Sequence, residues 1–217
     1  MGRMICYMRK HARYLGAFII ATCVANVGSS RLMAQESDTL LMIMGITANI
    51  DNELSSPSST EIPVGTFLTY SQQSVRKCVF DLAALGTAYG DTIYSLTATY
   101  SDKTRSALLI ALGLMGDPRA HSEIRAMAMD GDDLNIRTLA TLALGKYDDT
   151  TDVALLIKAL HDSARVIVQL DFATPSGDFF DITYPVRGAA NNALVDMGYG
   201  ISKDPVSGEL IVKKRKK

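Results

Sequence analysis

The sequence predicts an all-α protein, a right-handed α-solenoid of stacked helix pairs that carries one inserted and one C-terminal β-hairpin. Three observations predict it. Two ten-residue phrases, TRSALLIALG at 104–113 and IRTLATLALG at 136–145, stand 32 residues apart and match almost position by position. Weaker copies flank them, VRKCVFDLAALG from Val75 and VRGAANNALVDMG from Val186. The stretches between copies carry helical periodicity of their own, so each unit is a helix pair. Pairs of this kind bury their apolar faces only by stacking on one another.

The first 34 residues stand apart from that pattern. Arg3, Arg9, Lys10 and Arg13 precede the apolar run YLGAFIIATCVANV, and small and polar residues follow as far as LMAQE. This is the layout of an export signal, and its apolar run is short of the roughly 20 residues that span a bilayer. Cleavage after Ala34 is expected. An alternative is lipidation of Cys23 in the box IATC, the one route by which the protein would be held at a membrane. Periplasmic or extracellular localisation follows from cleavage, and anchoring at the cell envelope from lipidation.

Removal of that segment leaves 17 basic against 23 acidic residues, a net charge of −6. Five of the 17 sit together in the terminal KKRKK, so the body carries 12 against 23, or −11. An acidic body excludes a nucleic-acid surface, which needs clustered Lys and Arg. The tail is read as a solvated terminus. Cys78 is the one cysteine left, so no disulfide framework is expected, and the thiol is read as a small buried hydrophobe.

DTLLMIMGITANIDNEL (38–54) reads as the first helix, with Met42 and Met44 assigned to the core at the end of the stack. SSPSST then breaks the pattern, and a helix from about Pro63 toward Ser71 completes the first pair. With each arginine as position zero, Arg76, Arg105, Arg137 and Arg187 open the second helix of successive units. Leu108, Ala111 and Leu112 follow Arg105 at plus three, six and seven; Ala140, Ala143 and Leu144 follow Arg137 likewise; Ala190, Ala193 and Leu194 follow Arg187. Val79 and Leu82 follow Arg76 at plus three and six. These offsets fall on one helix face. The intervening helices are placed at about 92–99, 119–129 and 152–160. Asp117-Pro118 is a start signal, with the aspartate as cap and proline at the first helical position. Asp102 and Asp133 are read as starts of the same kind, and Gly113, Gly116 and Gly145 as helix closures.

Arginine spacings of 29 and 32 widen to 50 before Arg187. VIVQLDFATPSGDFFDITY fills the wide interval, and YGISKDPVSGELIVKK follows the last helix; both read as hairpins. In the first, Val166, Val168, Leu170 and Phe172 are grouped with Phe180, Ile182 and Tyr184 on an apolar face. The mixed face carries Asp171, Phe179 and Asp181, the residues expected to meet a partner if the hairpin does more than cover the stack. The organisation is therefore a signal at 1–34, a repeat domain at 35–198 with a hairpin insert at 165–185, and a hairpin with a basic tail at 199–217.

The repeated phrase resembles HEAT repeats, and in particular the short HEAT-like class seen in phycocyanobilin lyase subunits, whose phrase runs roughly D-x-x-V-R-x-x-A-x-x-A-L-G. The resemblance covers about residues 70–198. It implies that Arg76, Arg105, Arg137 and Arg187, with Asp102 and Asp133 and the glycines Gly113 and Gly145, are structural residues that tie one unit to the next. It also implies two classes of function: a non-enzymatic scaffold binding a protein partner, or a lyase or chaperone-like enzyme for a tetrapyrrole protein. Chemistry of other kinds has little support. His121 and His161 lack a second histidine at zinc spacing and are read as solvated or packed, and DGDDLN (130–135) lacks the glycine and bidentate glutamate of a calcium loop. No catalytic residue, metal or cofactor is assigned. The expectation is an exported bacterial scaffold.

Overall fold

The structure is a computed structural model and describes residues 36–55, 70–169 and 180–215. The expected export signal, residues 56–60 of SSPSST, the helix start near Pro63, and Asp171 and Phe179 lie outside the described residues. The chain divides into two compact units, 1–44 and 45–217. Of the first, residues 36–44 are described, and they form the opening turns of helix α1 (36–55).

Helix α1 buries Ile43, Thr47 and Ile50, at i, i+4 and i+7. Met42 and Met44 are 44% and 48% exposed, which corrects their assignment to the core. The reason is angular: each is one residue from Ile43, so each points about 100° away from the buried stripe.

The second unit carries the repeats. Its helices are α2 (Tyr70–Ala84), α3 (Gly90–Leu96), α4 (Asp102–Leu114), α5 (His121–Asp130), α6 (Leu134–Leu144), α7 (Thr150–Ala159) and α8 (Pro185–Asp196). Short 3-10 turns at Thr87–Tyr89 and Pro118–Ala120 lead into α3 and α5. Helices pair as α3 with α4, α5 with α6 and α7 with α8, while the arginine-bearing helices α2, α4, α6 and α8 pack each on the next as one row. The row explains the repeated phrase. Leu108, Ala111, Leu112, Ala140, Ala143, Leu144, Ala190, Ala193 and Leu194 are all fully buried, as are Val79 and Leu82.

The helix ends follow local chemistry. Asp133 caps α6 by accepting from the amides of Asn135 and Ile136 at 2.7 and 3.1 Å. Asp117 and Asp149 accept from the amides two residues on, at 3.0 and 2.8 Å. Asp102 is not the cap of α4: extended Ser101 takes that place, and Asp102 is the first helical residue, its carboxylate favourably placed in the first turn.

The glycines also divide. Gly116 stops α4 in the left-handed region at φ 75°, with the Asp117 amide reaching back to the Leu112 carbonyl. Gly145 stands at the C-cap of α6 as expected, Gly113 does not close α4, and both also serve packing. Gly113 lies inside α4, where an added Cβ would stand 2.9 Å from Ile124 Cγ1 on α5. Gly145 keeps a helical φ of −63°, and a Cβ there would stand 2.7 Å from Ala193 Cα on α8. Both permit close helix approach. The chain after α6 turns instead at Asp148, with φ 48°.

Two antiparallel hairpins complete the unit, β1 (Val166–Gln169) with β2 (Phe180–Thr183) and β3 (Tyr199–Lys203) with β4 (Leu210–Lys214). The first regroups the expected faces. Val166 pairs with Thr183, Ile167 with Ile182, Val168 with Asp181 and Gln169 with Phe180. Ile182 therefore stands opposite Ile167 and Thr183 opposite Val166, so, against expectation, Ile182 is not grouped with Val166. A one-residue phase change between strands exchanges every neighbour.

Candidate functional site

The repeat arginines reach away from their own helices. Arg105 on α4 makes a 2.7 Å ion pair with Glu123 on α5. Arg137 on α6 donates to the Gly131 carbonyl at 2.8 Å and lies 3.5 Å from Asp162, just beyond α7. Arg187 on α8 donates to the Asp162 carbonyl at 2.6 Å and stacks over Tyr184. Arg76 stands apart, its guanidinium over Phe80 one turn along α2. Asp162 thus gathers two of the four arginines, a role that its sequence position does not show. Cys78 is half-buried and free, and burial raises its thiol pKa.

A second polar seam runs along the N-terminal ends of α3, α5 and α7. Arg119 bonds Asp117 through both carboxylate oxygens and reaches Asp91 on α3 at 2.7 Å, with its guanidinium over Tyr94. The hydrogen bonds from Arg119 hold the Asp117 carboxyl below the usual carboxylate range. The Tyr147 hydroxyl donates to the Asp117 carbonyl at 3.0 Å, and its ring stacks on His121 at 4.3 Å. Burial, followed by the charges of Asp117 and Asp152, raises the phenol pKa.

His121 leads to the centre of that seam. It opens α5, and its Nε2 stands 2.7 Å from Asp152 Oδ2 in the first turn of α7. Asp152 is fully buried. Arg125 Nε lies 3.3 Å from its Oδ1 but outside hydrogen-bond geometry, so that buried oxygen accepts no hydrogen bond. Arg125 Nη1 donates instead to Thr151 Oγ1 at 2.9 Å. Asp149 completes the group: one ligand atom from each of His121, Asp149 and Asp152 lies within 4.8 Å of the others. The amide of Thr151, which Asp149 caps, holds its carboxyl pKa down. Such a set of one imidazole and two carboxylates can hold a cation or orient a proton on the histidine.

His121 is thus packed, one of the two expected alternatives, and it has carboxylate partners that zinc spacing of histidines does not reveal. Its partners are 28 and 31 residues downstream on the next outer helix, a spacing no local motif records. A signal was present in the repeat itself. Asp117-Pro118-Arg119-Ala120 and Asp149-Thr150-Thr151-Asp152 are equivalent starts, with the same cap bond, and their fourth residues are both fully buried. One repeat places a methyl there and the next a carboxylate.

Elsewhere, a cleft of about 400 Å³ opens between the C-terminal ends of α5 and α7, with Met129, Leu155, Lys158, His161 and Asp162 among its walls. On the inserted hairpin, Ile167 and Ile182 face each other across the strands and are 60% and 47% exposed. Val166 and Thr183 on the other face are half-buried. The side chain of Asp181 lies outside the described residues, though its backbone pairs with Val168. Among the described residues, no helix is long and apolar enough to cross a membrane.

Residues 91–172 match the family model for HEAT repeats. No curated protein and no solved structure matches the chain.

Proposed function

We propose that this chain, built on HEAT repeats, is an exported scaffold that holds a protein partner. HEAT repeats commonly mediate protein–protein interaction, and stacked helix pairs leave a long surface for it. The observation that carries the reading is the inserted hairpin. A plain repeat has no strands between α7 and α8, yet here two isoleucines form an exposed cross-strand pair on an inserted hairpin. An exposed apolar pair on an insertion supports a protein-contact surface, because insertions in repeat arrays often map to the binding face. The body's charge of −11 favours a partner of basic or neutral surface over a nucleic acid.

Export rests on the sequence of residues 1–34, and cleavage after Ala34 would start the mature chain at Gln35. The test is capture from envelope extracts with the mature chain as bait, repeated with residues 166–184 replaced by a short Gly-Ser turn. A stable protein that no longer captures the same partner supports the reading. Equal capture by both removes the hairpin from it. Incubation with bilins separates this function from the lyase class, because a stable visible chromophore would mark the enzyme.

A further inference from the structure

We propose that His121, Asp149 and Asp152 form a binding site for one zinc ion between the N-terminal ends of α5 and α7. The inference begins with an anomaly in the repeat. At the fourth residue of equivalent helix starts the fold accepts a methyl, Ala120, and the space is fully closed to water. Asp152 puts a carboxylate in that same closed position. Burying a carboxylate is unfavourable by several kcal/mol unless it is well paired, so packing does not account for it. Its partners are His121 at Oδ2 and the Arg125 guanidinium 3.3 Å from Oδ1, yet Oδ1 accepts no hydrogen bond, so the buried carboxylate is only partly satisfied.

The donors suit zinc. One imidazole nitrogen and two carboxylate oxygens from two helices form a three-ligand set, and His121 keeps 22% of its side chain exposed, which leaves room for a solvent ligand in the fourth position. A tetrahedral ion with bonds of ~2.0–2.1 Å would hold Nε2 and Oδ2 about 3.3 Å apart. They now stand 2.7 Å apart, so the pair must open by roughly half an ångström. Asp149 lies at the rim and swings in with its cap bond kept, because a carboxylate has about four acceptor positions. Charge balances as well. The two carboxylates offset the ion's two positive charges, while Arg125 beside Oδ1 orients Asp152 from outside the coordination shell. Tyr147, stacked on the imidazole, fixes the plane of the ring.

The test uses the full chain, stripped of metal by EDTA and titrated with zinc by calorimetry, with melting followed in parallel. One zinc per chain is expected, with a melting temperature that rises as zinc is added. Asp152→Ala copies the neighbouring repeat and is expected to fold; its zinc affinity should fall by more than about 100-fold, beyond what loss of an outer partner does. His121→Ala should do the same and serves if Asp152→Ala fails to fold. His161→Ala should bind as the wild type does. Absence of binding by the wild type at millimolar zinc, or undiminished binding by Asp152→Ala or His121→Ala, would overturn the proposal.

Discussion

Gly145 and Gly188 are both helical glycines, and the structure gives their replacement by alanine opposite signs. Freezing out glycine's extra freedom in the unfolded chain normally stabilises by about 0.4–1 kcal/mol when the site accepts a methyl. Gly188, in α8, has nothing within 4 Å of an added Cβ, so it should realise that gain. At Gly145 the same methyl would meet Ala193 Cα at 2.7 Å, its Cβ at 3.0 Å and its carbonyl oxygen at 3.0 Å. Two of these three are backbone atoms of α8, which no rotamer change can move away. Overpacking of that kind destabilises by about 1–3 kcal/mol, and the net effect after the entropic gain is a loss of about 1–2 kcal/mol. Melting followed by circular dichroism at the helix band should show Gly145→Ala lower by about 2–8 °C and Gly188→Ala higher by about 1–4 °C. If Gly145→Ala matched or exceeded the wild type, α6 and α8 would not approach as described, and the row of arginine-bearing helices would be misbuilt at that step.

Leu144→Asp places a carboxylate in the fully buried seam of the same row, where an unpaired charge is unfavourable by several kcal/mol; no cooperative melting or no soluble protein is the expected result. The acid limb of stability should carry Asp117. Its folded pKa lies below the unfolded value, so its contribution is complete above about pH 4 and is lost as pH falls through the folded pKa. Asp117→Asn should flatten that limb in urea titrations at pH 2–5, and an unchanged slope would discharge Asp117 from the role. Terminal sequencing of the exported protein should begin at Gln35, and recovery of an intact Met1 would end the cleavage proposal.

The repeat was legible because it uses the helix period. Offsets of three, six and seven from each arginine put side chains on one face, and every such residue tested by burial is closed to water from Leu108 to Leu194. The helix glycines were half legible. The pattern marks Gly145 near an end, but only the position of Ala193 shows that it serves packing. The hairpin was legible as two strands and not as a register, because each strand shows its own alternation while the phase between them depends on the connecting loop. The His121–Asp152 pair was least legible, since it joins the starts of two separate outer helices. Comparing Ala120 with Asp152 in aligned units would have exposed it, a comparison that asks where a repeat breaks its own rule.

The central claim is that the inserted hairpin presents its isoleucine pair to a protein partner, and the double variant Ile167→Lys/Ile182→Lys tests it most directly. Both side chains are exposed, so the substitutions should leave the melting temperature of the stack within about 2 °C of the wild type, as surface changes do. Binding to the partner captured by the wild type, measured by calorimetry on purified components, should weaken at least tenfold. Undiminished affinity in a variant that melts normally would contradict the claim and move the contact surface elsewhere on the stack.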